Sequence, residues 1–279
     1  MSSSDLLGYR DATAVVVGCS TGIGAATARL LHEFGARVHA VGRNEPSVPH
    51  ERFHHLDLTD PVAISATAAV LNDIGPIDHL FVCAGVPMTR PPREVLHVNY
   101  FGVRHLVELV EPSIVDGGAI GIVSSNTASG WEARLPALLD LLHESHHANG
   151  SAWCDAHPEL LTNGFATYVM AKQAVIAWAI RWSSSLACRR RIRVNCTLPG
   201  PTDTPMVDEI AAEIGSEAFE SYPHPVLGHI PTAEQQAWPL LLLSSRLNRV
   251  VTGTALLCDE GVSTGRMNGE IDLTSMKSG

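Results

Sequence analysis

The sequence is poor in basic residues, and this shortage limits the ligands that the protein can bind. It has 19 Lys and Arg against 29 Asp and Glu, a formal net charge of -10 at pH 7. Nucleic-acid binding needs clustered basic side chains that displace counterions. The one tight basic run, residues 189–191 followed by Arg193, precedes an apolar stretch, and we interpret it as a solvated helix end that complements the helix dipole. We therefore expect no nucleic-acid partner.

Long apolar runs and paired cysteines are also missing. No window approaches the roughly 20 apolar residues that span a bilayer, and the N-terminal segment lacks the basic start and continuous apolar run of a signal peptide. The six cysteines show no CxxC spacing, and most lie in apolar surroundings, where cysteine behaves as a small hydrophobic residue. These features predict a soluble cytoplasmic protein with reduced thiols and no membrane contact.

What the sequence does have is a repeated alternation of short apolar runs and amphipathic helical stretches. This βαβ order predicts an α/β protein with a Rossmann-type doubly wound parallel sheet, because crossovers between parallel strands are right-handed. At 279 residues with 45% hydrophobic content, the chain suits a single core. We predict one domain over residues 1–265 and a loosely ordered tail over residues 266–279. The predicted strands lie at residues 14–17, 38–41, 79–82, 119–123, 192–195 and 254–257.

Two segments interrupt this alternation. Residues 129–163 carry leucines at helical spacing and form an insertion. Residues 202–230 follow a Pro-Gly pair and combine an amphipathic helix with further prolines, which is typical of a mobile lid over a substrate site. Trp131 and Trp153, both in the insertion, are candidates for shaping an apolar substrate pocket.

A histidine group in the insertion could suggest a metal site. His143, His146 and His147 lie at helical spacing, and imidazoles three residues apart share a helical face. A structural zinc would need further ligands at clear spacing, and none stands out. We therefore expect no metal and interpret the group as a solvent-facing or interface cluster.

A glycine-rich turn, GCSTGIG, directly follows the first predicted strand and opens a helix. Glycines there let the backbone turn tightly and approach a pyrophosphate, while the helix N-terminus offers unpaired N–H groups to the phosphates. A purely structural strand-to-helix turn would also use glycine, but the position favours a dinucleotide site. The candidate contacts are Gly18, Ser20, Thr21, Gly22, Ile23 and Gly24.

The end of the second predicted strand bears on the choice between NAD and NADP. An Asp or Glu there would bind the adenosine ribose of NAD, whereas a small residue followed by Arg leaves room and charge for the 2'-phosphate of NADP. The residues present are Gly42 and Arg43, which favours NADP, although this Arg could also stack on adenine or face solvent. Asp57 and Leu58 are placed to meet the adenine edge; the alternative is an ordinary Asp before a helix.

The strongest constellation for chemistry is Tyr168 and Lys172, four residues apart at the start of an apolar helix. Residues at this spacing share a helical face. A phenol titrates near pH 10, and a fixed ammonium beside it would lower its pKa; a shift of about three units corresponds to roughly 4 kcal/mol. Taken alone, the pattern also fits an exposed Tyr beside a solvated Lys.

Further polar candidates follow other predicted strands. Ser125 ends the strand at residues 119–123, Pro199 and Gly200 follow the strand through residue 194, and Asn99 falls in an apolar helical segment. In an open α/β sheet, ligands bind at the carboxyl ends of the strands. Each residue has an alternative: Ser125 could cap a turn, Pro199-Gly200 could form one, and Asn99 could be a buried amide that satisfies backbone groups.

Together the motifs GCSTGIG, CAG, VNYFG, VSS, YVMAK, RVN, PGPTDT and CDEG resemble the short-chain dehydrogenase/reductase family along nearly the whole chain. The resemblance implies an Asn-Ser-Tyr-Lys tetrad: Tyr168 as general acid/base, Ser125 polarising the carbonyl, Lys172 tuning Tyr168, and Asn99 supporting a proton-relay water. Thr204 would meet the nicotinamide carboxamide. The cofactor-binding set implied by the resemblance also includes Ala84, Gly85, Tyr168, Lys172, Pro199, Gly200 and Thr202.

Tyr168 comes 43 positions after Ser125, far more than is usual in the family. An insertion at this place resembles the bacterial 3α-hydroxysteroid dehydrogenase/carbonyl reductases and coniferyl-alcohol dehydrogenases. The resemblance implies an NAD(P)-dependent oxidoreductase of an apolar, ring-bearing alcohol or ketone, such as coniferyl alcohol or a 3-hydroxysteroid. The alternative is a catalytically silent dinucleotide-binding redox sensor, against which the intact tetrad argues.

The family also implies a homodimer or homotetramer. The apolar helix over residues 175–182, with Trp178 and Trp182 at helical spacing, is a candidate for the core or for a subunit interface. The neighbouring insertion could cover this helix and redirect the contact.

Overall fold

The computed structural model describes residues 5–143 and 147–272. They form one seven-stranded, all-parallel sheet in the order β3-β2-β1-β4-β5-β6-β7. The chain runs outward from β1 to β3 and then returns to place β4 on the other side of β1. The carboxyl ends of β1 and β4 therefore border the crevice where such sheets bind ligands. The strands are β1 Thr13–Val17, β2 Arg37–Gly42, β3 Arg52–His55, β4 Ile77–Val82, β5 Ile114–Val123, β6 Arg193–Pro199 and β7 Ala255–Cys258.

Helices cover both faces of the sheet. They are α1 Gly22–Glu33, α2 Pro61–Asp73, α3 Pro92–Leu96, α4 Val103–Val110, α5 Trp131–His143, α6 His147–Ala156, α7 Gly164–Arg190, α8 Pro205–Ile214, α9 Glu217–Glu220, α10 Ala233–Ser244 and α11 Val262–Met267. A π-helix, His97–Gly102, joins α3 to α4, and a 3-10 turn, Asn126–Ala128, follows β5. Each predicted strand overlaps an observed one, which confirms the doubly wound α/β fold.

The central strands are apolar on both sides because helices cover both faces. All five residues of β1 are buried. Val15 and Val17 pack in one hydrophobic cluster, and Ala14 and Val16 pack in another on the opposite face. The sheet is thus a rigid central layer, and the loops at its carboxyl edge are free to carry polar groups.

The insertion packs on the outside of the α7 layer. Its helix α5 lies against α7, and α6 lies against the π-helix. Gly150 permits this approach, because a Cβ there would lie 2.6 Å from the Phe101 ring. Trp153 is buried and donates a 3.0 Å hydrogen bond from its indole N–H to Asp140. The insertion is therefore part of the core of this chain.

The tryptophans of α7 belong to the same core. Trp178 is buried, stacks on Trp182 with ring centroids 5.4 Å apart, and donates a 3.0 Å hydrogen bond to Glu108 of α4. Residues 175–179 are likewise buried within the single chain. The prediction that these residues belong to the core is confirmed.

The basic run ends α7 as predicted for residues 189–191. Arg190 pairs with Asp116 at 2.7 Å, and Arg191 closes the helix in the left-handed conformation. Arg193 differs, because it is buried and donates to the carbonyl oxygens of Leu243 and Ser244 at 2.6 and 2.7 Å. Its guanidinium satisfies the last carbonyls of α10 and does not belong to the solvated helix end.

Neither a membrane-spanning helix nor a metal cluster is found in the described part of the chain. No helix there is both long and apolar enough to cross a bilayer. Within residues 5–143 and 147–272, no group of three or more His, Cys, Asp or Glu is arranged to hold a metal. Of the histidine group in the insertion, His143 is exposed at the end of α5, and His146 lies outside the described residues.

Candidate active site

A cavity of about 430 Å³ opens at the carboxyl ends of the strands, where the sheet order reverses. It is bordered by the loops that follow β1, β2, β3, β4, β5 and β6 and by the start of α7. Among the residues predicted from the sequence, those that line it are Gly18, Ser20, Thr21, Gly22, Ile23, Gly24, Arg43, Asp57, Leu58, Ala84, Gly85, Ser125, Tyr168, Lys172, Pro199, Gly200, Thr202 and Thr204.

The glycine turn after β1 has no room for side chains. Gly18 has a φ of 81°, and a Cβ there would lie 2.4 Å from Ala84 Cα. A Cβ on Gly24 would lie 2.0 Å from the Gly18 carbonyl oxygen. The N-cap residue of α1, Thr21, makes no side-chain capping bond, so the first N–H groups of the helix are left to face the cavity. The closely packed backbone of this glycine turn and the N-terminus of α1 together form a site that suits a phosphate group, called the phosphate cradle below.

Gly42 and Arg43 stand at the end of β2 beside Asp57, which follows β3. Partial burial opposes ionisation of Asp57, but hydrogen bonds from Thr59 and the charge of Arg43 outweigh it, so the pKa of the carboxyl is lowered. The Asp57 oxygen accepts from both the backbone N–H and the hydroxyl of Thr59 at 2.8 Å. An anionic Asp57 and a cationic Arg43 thus border this end of the cavity.

Ser125 and Tyr168 meet on the opposite side of the cavity. Ser125 ends the segment after β5, and its Oγ accepts hydrogen bonds from the Thr127 backbone N–H at 3.2 Å and from the Thr127 hydroxyl at 3.0 Å. Tyr168 lies in the second turn of α7 and is 8% exposed. Burial raises the pKa of the phenol, and a hydrogen bond with Ser125 opposes that rise. Ser125 and Tyr168, which lie 43 positions apart in the sequence, thus line the same side of the cavity.

Lys172 lies one helical turn beyond Tyr168 and is also buried. Its Nζ donates to the Val123 carbonyl at 3.3 Å and is 5.7 Å from the centre of the Tyr168 ring. Burial lowers the pKa of the Lys172 ammonium to about 8. The expected fall in the phenol pKa is wrong, because burial of Tyr168 raises that pKa and has the larger effect.

Asn99 lies beneath the cavity and does not line it. Its side-chain oxygen accepts from the Val86 N–H at 2.9 Å, and its amide donates to the Val86 carbonyl at 3.0 Å. A Cβ on Gly85 would lie 3.1 Å from the Asn99 oxygen and 3.3 Å from Lys172 Nζ. Asn99 thus forms the buried, backbone-satisfying amide that the sequence left open as an alternative, and it fixes the loop after β4 against Lys172.

Several lining residues were not predicted individually. Asn126 and Thr127 directly follow Ser125, and this adjacency was the signal that could have identified them. The apolar side of the cavity comes from the loop after β4 and from α8 and α9 within residues 202–230. These apolar residues are Val86, Met88, Met206, Val207, Ile210 and Phe219.

The insertion does not line this cavity. None of its described residues is among the lining residues. The prediction that Trp131 and Trp153 shape the pocket is therefore wrong for this cavity, because α5 and α6 pack against α7 and the π-helix. Trp131 packs against the main hydrophobic cluster, and Trp153 stacks on His157 with ring centroids 4.3 Å apart.

Two protein-family models match the chain, one before and one after the middle of the insertion. The description "short chain dehydrogenase" matches residues 12–136, and "Enoyl-(Acyl carrier protein) reductase" matches residues 157–263. A coniferyl-alcohol dehydrogenase of Pseudomonas sp. strain HR199 is 34% identical over 250 residues, which cover 90% of this chain and 96% of the relative. The 3-alpha-hydroxysteroid dehydrogenase/carbonyl reductase of Comamonas testosteroni is 28% identical over 255 residues, covering 89% and 95%.

A solved structure shares the fold over nearly its whole length. It is the 3-alpha-hydroxysteroid dehydrogenase of Pseudomonas sp. B-0831 in complex with NADH, with a TM-score of 0.77 and 24% sequence identity. The alignment covers 94% of this chain and 100% of that one. At this identity, the likeness supports the single-domain, doubly wound architecture.

Proposed function

Because the chain belongs to the short-chain dehydrogenase/reductase family, we propose that it interconverts an alcohol and a carbonyl on an apolar, ring-bearing substrate. The family resemblance inferred from the motifs is confirmed by the matches, and so is the class of enzyme, an alcohol/carbonyl oxidoreductase. The substrate, the choice of cofactor and the roles of individual residues are proposals. One observation carries them: Ser125, Tyr168 and Lys172 line a single cavity that has a phosphate cradle on one side and apolar side chains on the other.

The cradle fits a nicotinamide dinucleotide. Gly18 and Gly24 leave no space for a Cβ, so the backbone itself would face the pyrophosphate at the N-terminus of α1. When bound, this cofactor supplies or accepts the hydride. We propose NADP as the preferred form, because Gly42 carries no carboxylate and the exposed Arg43 offers a cation for a 2'-phosphate.

Tyr168 is the proposed general acid/base. Its raised pKa keeps the phenol protonated at neutral pH, and a protonated phenol is the form that donates a proton to a carbonyl oxygen during reduction. In the oxidation direction, the same oxygen accepts the proton of the alcohol. Ser125 would hydrogen-bond the substrate oxygen, Lys172 would contact the nicotinamide ribose, and Asn99 would keep the loop after β4 in place.

The other side of the cavity suits a ring-bearing substrate. The apolar residues of α8 and α9, together with Met88, offer surface for an aromatic or alicyclic ring. Asn126 and Thr127 add polar groups close to Ser125. We propose an aromatic alcohol such as coniferyl alcohol, or a 3-hydroxysteroid with its ketosteroid, and the names of the two relatives support both classes.

The test follows the absorbance of the reduced cofactor while coniferyl alcohol or a 3-hydroxysteroid is offered with NADP⁺ or NAD⁺. We expect turnover in the wild-type protein and a loss of about 100-fold or more in Tyr168→Phe, which removes the proton-transferring hydroxyl. Cofactor binding, measured by titration, should persist in the variant. A wild-type protein that binds cofactor tightly and turns over neither alcohol would contradict the proposal and favour the redox-sensor alternative.

A further inference from the structure

The apolar side of the cavity has an ion pair at its edge. Met88, in the loop after β4, and Ile210, in α8, both line the cavity. Thr89 and Arg90 directly follow Met88, and Glu209 directly precedes Ile210. The Thr89 hydroxyl donates to Glu209 Oε1 at 2.8 Å, and Arg90 Nε lies 3.0 Å from the same oxygen. Arg90 and Glu209, called the rim pair below, therefore join the two segments that supply the apolar side.

The backbone that carries Arg90 is packed against the start of α7. A Cβ on Gly164, the first residue of α7, would lie 2.2 Å from the Met88 carbonyl oxygen and 3.8 Å from the Arg90 carbonyl oxygen. Tyr168 follows one turn later in the same helix. The rim pair therefore belongs to the substrate side of the cavity and not to the phosphate cradle.

The charges around the cavity leave a substrate carboxylate without a partner on this side. Of the described residues that line the cavity, the charged ones are Arg43, Asp57 and Lys172. Arg43 and Asp57 follow β2 and β3, at the proposed adenosine end, and Lys172 Nζ donates to the Val123 carbonyl at 3.3 Å. The segment over residues 202–230 has six Asp and Glu and no Lys or Arg. A carboxylate buried there without a cationic partner is strongly unfavourable.

We propose that the rim pair makes the enzyme selective for uncharged alcohols and carbonyl compounds, because Glu209 occupies the guanidinium of Arg90 and repels a carboxylate on the substrate. This specificity rests on the proposed function, since it concerns the substrate that the apolar side receives. Repulsion of the wrong ligand is a general source of specificity. Arg90 alone would have the opposite effect, because a guanidinium binds a carboxylate through two parallel hydrogen bonds. Glu209 thus determines which effect prevails.

The test uses two alcohols that differ in charge but hardly in shape, 4-(hydroxymethyl)benzamide and 4-(hydroxymethyl)benzoate. A 3-hydroxysteroid with a side-chain carboxylate and its carboxamide form a second pair. At about pH 7.5 both carboxylates are ionised, and the ratio of kcat/KM values at saturating cofactor gives the preference for the uncharged alcohol. We expect a preference of at least about thirtyfold in the wild type. A preference below about threefold in both pairs would overturn the proposal.

Glu209→Gln tests whether the rim pair causes this preference. The glutamine side chain keeps an oxygen for Thr89 and Arg90 but has no charge, so a substrate carboxylate is the stronger acceptor for the guanidinium. The preference should fall about tenfold or more, through a higher kcat/KM for the carboxylate. Glu213→Gln, which removes an exposed carboxylate from the same helix, is the matched control and should change the preference less than about twofold. Equal changes in both variants would mean that only net charge matters, and would overturn the proposal.

A double variant tests the part of Arg90. When Arg90→Gln is added to Glu209→Gln, the guanidinium that would receive the carboxylate is removed, and the preference should return to within about threefold of the wild-type value. Both side chains of the rim pair are partly exposed, so the variants should fold, which circular dichroism checks. A double variant with the same low preference as Glu209→Gln would contradict the proposal.

Binding gives a readout that does not need turnover. Calorimetric titration of both alcohols of a pair into the protein saturated with NADPH, with which they cannot react, gives two dissociation constants. Their ratio should show the same preference in the wild type and the same fall in Glu209→Gln. Turnover without a preference for the uncharged alcohol would refute the role of the rim pair alone. A preference in binding without turnover of either alcohol would refute the proposed function and support the rim pair.

Discussion

The side-chain amide of Asn126 donates a 2.8 Å hydrogen bond to the hydroxyl oxygen of Tyr222. This bond joins the residue after Ser125 to the segment over residues 202–230, which supplies much of the apolar side of the cavity. The same amide lies 3.3 Å from a carboxylate oxygen of Asp259. Hydrogen bonds of Asn126 therefore connect the segment over residues 202–230 with the loops after β5 and β7.

We expect Tyr222→Phe to weaken substrate binding more than chemistry. Loss of the bond to Asn126 removes one attachment of the segment over residues 202–230, so KM for the alcohol should rise about three- to tenfold, the effect of one hydrogen bond, with kcat changed less than about twofold. Steady-state kinetics measure both. Tyr100→Phe is the control: it removes a hydroxyl that accepts from Arg104 at 2.9 Å and that does not line the cavity, and it should leave KM unchanged. A KM for Tyr222→Phe equal to that of the wild type would show that the bond to Asn126 does not contribute to substrate binding.

A second attachment of the segment over residues 202–230 depends on Glu260. Its carboxylate contacts His224 Nδ1 at 2.9 Å and accepts from the backbone N–H groups of Val226 and Leu227 at 3.0 and 2.7 Å. Burial opposes ionisation of Glu260, but the hydrogen bonds from Leu227 and His224 outweigh it, so the pKa of the carboxyl is lowered. A carboxyl with a lowered folded-state pKa stabilises the fold above its unfolded pKa, and this stabilisation is lost as the pH falls through the folded pKa.

Glu260→Gln should therefore lower Tm near pH 7 by roughly 2–4 °C, the shift that about 1 kcal/mol produces in a domain of this size. The difference from wild type should shrink as the pH falls below the ordinary glutamate pKa of about 4.3 and should vanish below the lowered folded-state pKa, where the carboxyl is protonated in both folded and unfolded chains. Thermal unfolding by circular dichroism across this pH range measures the effect. The exposed Glu213 provides a control, Glu213→Gln, with no expected change. A Tm difference that stays constant with pH would refute the electrostatic explanation.

The sequence predicted the sheet well because its strands are buried on both faces. Such strands appear as short apolar runs, and the runs at residues 14–17 and 79–82 lie inside β1 and β4. The predicted strands did not include β3, whose sequence RFHH has little apolar content because it is an edge strand. The lining residues from the glycine turn and from the start of α7 were predictable, since each follows a strand or starts a helix with a clear motif.

Contacts between distant segments were not predictable. The pair Asn126 and Tyr222 joins positions 96 residues apart, and no local pattern links them. The leucines of the insertion predict a helical face, but helical spacing does not say which neighbour covers that face. For this reason Trp153 was assigned to the pocket, whereas it packs within the main core cluster. The raised pKa of Tyr168 likewise depends on burial, which spacing alone does not reveal.

Gly18→Ala should abolish tight cofactor binding. The new Cβ would meet Ala84 Cα at 2.4 Å, and the φ of 81° disfavours any L side chain. Gly117→Ala is the matched control, since Gly117 has a φ of 89° but nothing lies within 4 Å of the place that its Cβ would take. Gly117→Ala should lose about 1 kcal/mol of stability from backbone strain. Gly18→Ala should lose more, because its Cβ also overlaps Ala84, and it alone should lose cofactor affinity, by more than about tenfold, in protein that circular dichroism shows to be folded. Equal affinities for NADPH in both variants would rule out the cradle.

The proposed preference for NADP depends on the charge of Arg43. Replacing it in Arg43→Ala removes the cation that would pair with a 2'-phosphate, and NADPH affinity should fall about tenfold while NADH affinity changes less than about twofold. Arg52→Ala, which removes another exposed arginine from the neighbouring β3, should change neither. Fluorescence titration of each protein with both cofactors gives the four dissociation constants. An equal loss for NADPH and NADH in Arg43→Ala would mean that Arg43 stacks on adenine, which both cofactors carry, and would refute the contact with a 2'-phosphate.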